Sequence, residues 1–236
     1  MEETPRYAHL MVLLFLGAGL GMAVGLFGVL WGVVRKARLG VRLGASVALL
    51  CAGSYLAVLI GTGTLSSDKT LPEGTWKYFC EPDCHIAYSV ASVQTAETLG
   101  MESKPLVANG KFVVVGLKAW FDEKSISKFR GDGPLTPVPR IVSLFDATGR
   151  TFLPMQSAPT ALRLVSTPLA QPLRPGDSYV SRFVFDIPRD AKDLRLLIAD
   201  DDPIAFVTID HENSPFHGKI YLSLEPVVAA SSASIH

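Results

Sequence analysis

Arg35-Lys36-Ala37-Arg38-Leu39-Gly40-Val41-Arg42 separates two stretches, residues 7–34 and 43–67, that contain no Asp, Glu, Lys or Arg. A bilayer core about 30 Å thick is spanned by roughly 20 apolar residues in a helix, so each stretch is long enough to cross one. The pattern predicts a transmembrane hairpin over 7–67, with helices at 7–34 and 43–64 and a loop at 35–42. A cleaved signal peptide begins with a basic segment, followed by a short apolar run and a small-residue cleavage site. Here Met1-Glu2-Glu3 comes first and the basic cluster follows the apolar run. Four cations between the helices place the loop in the cytoplasm by the positive-inside rule. Both chain ends then lie outside a bacterial inner membrane (N-out/C-out). Residues 1–6 form an outer segment, and everything after about residue 68 is periplasmic or outside the cell.

The charge balance supports this division. The 236 residues carry 22 Lys+Arg and 22 Asp+Glu, and only 19% are charged, against about 25% in ordinary soluble chains. Residues 1–64 hold five Lys/Arg and two Glu, which leaves 17 Lys/Arg against 20 Asp/Glu in the rest. Neutrality is therefore a cancellation between a basic loop and a mildly acidic outer portion. Neither part has the basic face of a nucleic-acid binder. Gly17, Gly21, Gly25, Gly28 and Gly32 fall on one face of the first helix, a small-xxx-small stripe that lets another helix approach closely. That partner is either the second helix, through Gly44, Ala48 and Ala52, or a helix of a larger complex. With no charge inside either helix, the sequence gives no support to an ion path, proton relay or voltage sensor.

From residue 85 onward, short β-rich runs alternate with turn signals. The candidate strands are 85–93, 111–120, 139–145, 150–153, 161–165, 178–187, 194–199, 204–209 and 219–224. Phe112, Val114 and Gly116 alternate with Val113, Val115 and Leu117, so this strand is buried on both faces. Asp146-Ala147-Thr148-Gly149 suits a tight hairpin with Gly149 left-handed, and Arg174-Pro175-Gly176-Asp177 suits a type II turn. Many short strands without a long helical pattern give a sandwich or barrel over 85–226, preceded by a linker at 68–84 and followed by an Ala/Ser-rich tail at 227–236. Residues 121–138 interrupt the pattern. Loops of this length are usually functional or disordered; the aromatic and basic residues favour the first, and Phe121, Lys124, Lys128, Phe129 and Arg130 make this one a candidate partner-contact surface. The embedded Arg130-Gly131-Asp132 is a chance match rather than an adhesion motif.

Three segments carry a family resemblance. They are Lys111-Phe112-Val113-Val114-Val115, Leu144-Phe145-Asp146-Ala147-Thr148-Gly149, and Leu173-Arg174-Pro175-Gly176 leading into Phe183-Val184-Phe185-Asp186-Ile187-Pro188. Together they resemble a family of bacterial extracytoplasmic immunoglobulin-like domains of unknown function, commonly membrane-anchored. The resemblance implies an immunoglobulin-like β-sandwich and supplies no catalytic residues.

Chemistry concentrates at Cys80-Glu81-Pro82-Asp83-Cys84-His85. In an oxidising compartment a cysteine pair tends to become a disulfide, and a Cys80–Cys84 bridge is the preferred reading. Cys80, Cys84 and His85 are also a soft-ligand set for copper or zinc, with His211 and His217 able to complete a site only if folding brings them close. The topology is similar to subunit II of haem-copper oxidases, whose copper site uses a C-x3-C pair. There the pair lies late in the sandwich and is followed by His and then Met, positions occupied here by Tyr88 and Ala91. Cys51 lies in the second helix and reads as a small apolar residue. Asp200-Asp201-Asp202-Pro203 lacks the alternating ligands of a calcium loop and reads as a solvated turn.

No G-x-S-x-G elbow, phosphate loop, H-E-x-x-H helix or dinucleotide fingerprint is present. The expected function is therefore a non-catalytic accessory subunit of a larger membrane complex, respiratory or photosynthetic, with other integral membrane subunits and the bilayer as partners and no cofactor. One alternative is a periplasmic copper-binding, electron-transfer or metal-delivery protein. Another is an envelope ligand or stress sensor, for which the short inner loop provides no output domain.

Overall fold

The basic octapeptide forms less loop and more helix than its charge suggests. In the computed structural model, which describes residues 2–3, 8–81, 83–100, 105–126, 129–155 and 167–224 (backbone alone at 2, 3, 8, 9, 80, 81, 83 and 84), α1 spans Ala8–Val34 and α2 spans Arg38–Leu65. Only Arg35, Lys36 and Ala37 lie between them, so the expected 35–42 loop and the helix start at 43 are corrected. Lys36 sits left-handed at φ 51°, its N–H bonding Val33 O and the Ala37 N–H bonding Gly32 O. These two bonds are a Schellman stop, which closes α1 in one residue. Arg38 to Arg42 are then free to start α2, since Arg and Leu are strong helix formers.

The chain divides into two compact units. One comprises Pro5–Asp68 with Asp202–Lys219; the other comprises Met1–Thr4, Lys69–Asp201 and Ile220–His236. Both helices of the first unit are long and apolar enough to cross a membrane. Their outward faces carry Leu13, Leu20, Leu26, Phe27, Leu49 and Leu50, all exposed.

The second unit is a two-sheet β-sandwich. Its strands are β1 (Glu2–Glu3), β2 (Lys69–Leu71), β3 (Trp76–Glu81), β4 (Asp83–Leu99), β5 (Leu106–Phe121), β6 (Arg140–Phe145), β7 (Thr151–Phe152), β8 (Ser178–Ile187), β9 (Arg195–Asp200) and β10 (Ile220–Ser223). One sheet runs β1-β3-β4-β5-β8 and the other β2-β10-β9-β6-β7. β1 pairs in parallel with β3, and β2 with β10; the remaining pairings are antiparallel. Residues 68–84 are thus no linker but hold β2 of one sheet and β3 with the start of β4 of the other. The expected strand at 161–165 and the 227–236 tail lie outside the described residues.

Burial follows the two-residue period of a strand. Val113, Val115, Leu117 and Phe121 of β5 enter the inter-sheet core with Ile86, Tyr88, Phe185, Val142, Leu144, Leu196, Ile198 and Leu222. Phe112 and Val114 face the other way, into a smaller cluster with Val184. β5 is therefore buried on both faces, as its composition predicts. Both expected turns form: Gly149 and Gly176 are left-handed at φ 83° and 84°, and the Asp177 N–H bonds Arg174 O at 2.9 Å.

The expected strand at 204–209 does not form. Pro203–Val207 is a short helix, α3, because the Asp202 side chain caps it by accepting the Ile204 N–H and Pro203 takes the first turn. Proline there lacks only an N–H that would be orphaned anyway, and the local cap outweighs the β preference of Ile204, Phe206 and Val207.

Candidate interaction site

The end of β5 delivers Phe121 and Asp122 to the start of the long loop. Asp122 Oδ1 accepts the Lys124 N–H at 2.9 Å, which caps a 3-10 turn at Glu123–Ser125, while its Oδ2 accepts the Tyr78 hydroxyl at 2.9 Å. The Asp122 N–H bonds His85 O at 2.8 Å, tying the loop to β4. His85 is buried, its ring stacked on Phe121 with centroids 5.3 Å apart and its Nδ1 2.6 Å from Ser125 Oγ. Ser125 Oγ donates to Asp122 O at 2.7 Å, so towards the imidazole the hydroxyl is the acceptor and Nδ1 the donor. That polarity is the reverse of a histidine activating a serine nucleophile. The pair is a brace.

The Arg130 guanidinium lies 4.7 Å from the Phe121 ring centre and donates to Gly133 O at 2.7 Å. A cation over an aromatic face contributes on the order of 0.5–1 kcal/mol at exposed sites and more when desolvated. At the far end, Leu135 and Leu173 exchange backbone bonds of 2.8 and 2.9 Å, and Leu173 is buried. Between these ties, Phe129 is 97% exposed. Burying an aromatic side chain stabilises by roughly 1.5–3 kcal/mol, and Phe129 leaves that unused while Ser125 and Arg130 of the same loop are held.

Of the five expected contact residues, Lys124 and Phe129 are exposed and Arg130 is half-buried. Lys128 lies outside the described residues. Phe121 is a correction: fully buried, it closes the core beneath the loop and cannot meet a partner. Among the glycines, a Cβ on Gly25 would fall 2.6 Å from Ala48 N, one on Gly32 2.5 Å from Val41 N, one on Gly21 2.5 Å from Cys51 Sγ, and one on Gly28 3.3 Å from Gly44 Cα. The stripe is consumed by α2 inside the hairpin, so these four glycines offer no face to another subunit. Gly17 meets nothing within 4 Å, because α2 approaches only the four lower positions.

For Cys80 and Cys84 the backbone alone is described. The β3–β4 ladder pairs Phe79 with Ile86 and, past a bulge, Glu81 with Asp83, which places positions 80 and 84 on opposite strands of one hairpin tip. His85 reaches Ser125 through Nδ1. His211 and His217 belong to the helical unit, where His211 Nδ1 accepts the Asn213 N–H and His217 Nε2 lies 3.3 Å from Asp210 Oδ1. Among the described residues no group of three His, Cys, Asp or Glu could hold a metal.

Two buried cations were not legible in the sequence. Lys77 Nζ donates to Ile198 O and Ile220 O at 2.7 and 2.9 Å, bridging from one sheet to the other. Arg140, with a fully buried side chain, pairs with Asp200 and covers Phe79, its guanidinium 4.1 Å from the ring centre. Burial also pushes the hydroxyls of Tyr88 and Tyr179 up, the latter to about 12, so neither is an acid or base near neutrality.

No family model matches the chain, and no curated protein matches it. Among solved structures, MPT63, a secreted protein from Mycobacterium tuberculosis with a 1.5 Å crystal structure, aligns with a TM-score of 0.41 and 9% identity. The alignment covers 66% of this chain and 98% of that one.

Proposed function

We propose that this chain is a non-catalytic accessory subunit of a larger membrane complex, held in a bacterial inner membrane by its hairpin and presenting the sandwich on the outer side. The observation that carries this reading is Phe129, an almost fully exposed aromatic on a loop braced at both ends. An aromatic presented on a preorganised support is the usual anchor of a protein interface, because little entropy remains to be lost on docking. With the glycine face consumed, the loop becomes the leading docking surface. The orientation is supported by β1, which joins the same sheet as strands that follow α2, and by the cations clustered at the hairpin turn. Membership of the extracytoplasmic immunoglobulin-like family belongs to the same proposal, as does a respiratory or photosynthetic host.

The test is purification from native membranes in a gentle detergent. The wild-type chain should co-migrate with fixed partners, and Phe129→Ser should release it by weakening the contact roughly 30-fold or more, the cost of a hot spot of about 2 kcal/mol or above. A wild-type chain that runs alone overturns the proposal.

A further inference from the structure

The segment between β9 and β10 leaves the sandwich and belongs to the helical unit as Asp202–Lys219. It follows the outer half of α2. The Gly218 N–H donates to Ser66 Oγ at 2.7 Å and the Lys219 N–H to Asp68 Oδ1 at 2.8 Å. Pro215 O approaches Gly63 so closely that a Cβ there would collide with it. Further along the helix, the Tyr55 hydroxyl donates to Val207 O at 2.5 Å. Ala205 is buried, whereas Ile204 is 58%, Phe206 57%, Val207 38% and Phe216 73% exposed.

Tyr55 gives the depth of these side chains. Its ring packs on Phe15 of α1, centroids 6.1 Å apart. Counting the roughly 20 residues of a bilayer span back from Val34 reaches Phe15, so by α1 the Phe15–Tyr55 level is the outer boundary of the hydrocarbon. Counting the same length forward from Leu43 reaches Thr62, which sets Tyr55 about 10 Å inside that boundary at 1.5 Å per residue. Both counts put α3 in the boundary zone, where amphipathic interfacial helices sit about 5–10 Å deep. The backbone is prepared for a dry setting, in which unbonded carbonyls are costly. Thr208 Oγ1 donates to Ile204 O at 2.9 Å, the Thr208 N–H bonds Ala205 O at 3.3 Å, and Tyr55 serves Val207 O. The polar half of the segment turns to itself through His217–Asp210 and Lys219–Glu212 O.

We infer that Asp202–Lys219 is an interfacial membrane anchor, with Ile204, Phe206, Val207 and Phe216 immersed among the phospholipid acyl chains of the outer leaflet beside α2. The inference rests on the reading that the hairpin spans the membrane. In the test, Phe206 and Phe216 are replaced one at a time by photoreactive p-benzoylphenylalanine in the full chain and irradiated in native membranes. Leu49, 73% exposed on α2, serves as the reference position. Positions 206, 216 and 49 should each gain the mass of one phospholipid. Lipid adducts at 49 with protein adducts or none at either Phe position overturn the inference and leave the hairpin reading standing. Absence of lipid adducts at 49 overturns both.

Discussion

A single carboxylate organises the turn between β6 and β7. Burial pushes the Asp146 carboxyl up, but hydrogen bonds from the Thr148 hydroxyl, the Arg150 side chain and both backbone N–H groups outweigh it and hold the group at about 2. Asp146 Oδ1 accepts Thr148 N, Thr148 Oγ1 and Arg150 N at 2.9, 2.7 and 3.0 Å, while Arg150 Nε donates to Oδ2 at 2.6 Å. An unfolded aspartate titrates near 3.9, so folding favours the ionised form. The contribution is fully present above about pH 4 and is lost as pH falls toward about 2. Asp146→Asn should lower the thermal midpoint at neutral pH, and its gap from wild type should narrow as pH falls from about 4 to about 2. A gap that stays constant with pH would refute this account.

At the scale of elements, the glycine stripe gives the sharpest contrast. A Cβ at Gly25 meets Ala48 N and Gly44 O, both backbone atoms that cannot rotate away, so the helices must separate. Overpacking of this kind costs typically about 1–3 kcal/mol. Gly25→Ala should therefore destabilise the hairpin by that amount in detergent unfolding. Gly17→Ala, with open space around it, should be neutral or gain up to about 1 kcal/mol from helix propensity. Equal effects at both positions would mean that the hairpin packs on another face. Sequence alone located the stripe, because helical spacing is local, but not its partner, because crossing geometry is not. The same limit hid β3: Lys77 interrupts its apolar run, and the carbonyls that accept from its ammonium belong to Ile198 and Ile220, far along the chain. At α3 the deciding signal is local. Asp202-Pro203 is a readable cap, and it outweighs the β preference of Ile204, Val207, Thr208 and Ile209.

The whole molecule is one chain shared between two units, which it passes between at residues 4/5, 68/69, 201/202 and 219/220. Charge patterning made the apolar hairpin and the sandwich legible, since both rest on hydrophobic periodicity over many residues. It could not show that the sandwich gives up Asp202–Lys219 to the helical unit, because that depends on single contacts such as Tyr55 with Val207. The orientation of the hairpin also belongs to this scale. β1 precedes α1 and β3 follows α2, yet they are neighbours in one sheet, and a hairpin whose two outer ends meet in one sheet returns to the side it left. Together with Arg35, Lys36, Arg38 and Arg42 at the turn, which the proposed orientation keeps on the cytoplasmic side by the positive-inside rule, this predicts opposite accessibility for two exposed positions. In intact spheroplasts a membrane-impermeant maleimide should label Phe129→Cys and leave Lys36→Cys unmodified beyond the labelling of the parent chain, and permeabilisation should expose both. Labelling of Lys36→Cys before permeabilisation, with Phe129→Cys protected, would invert the topology and with it the side on which partners are sought.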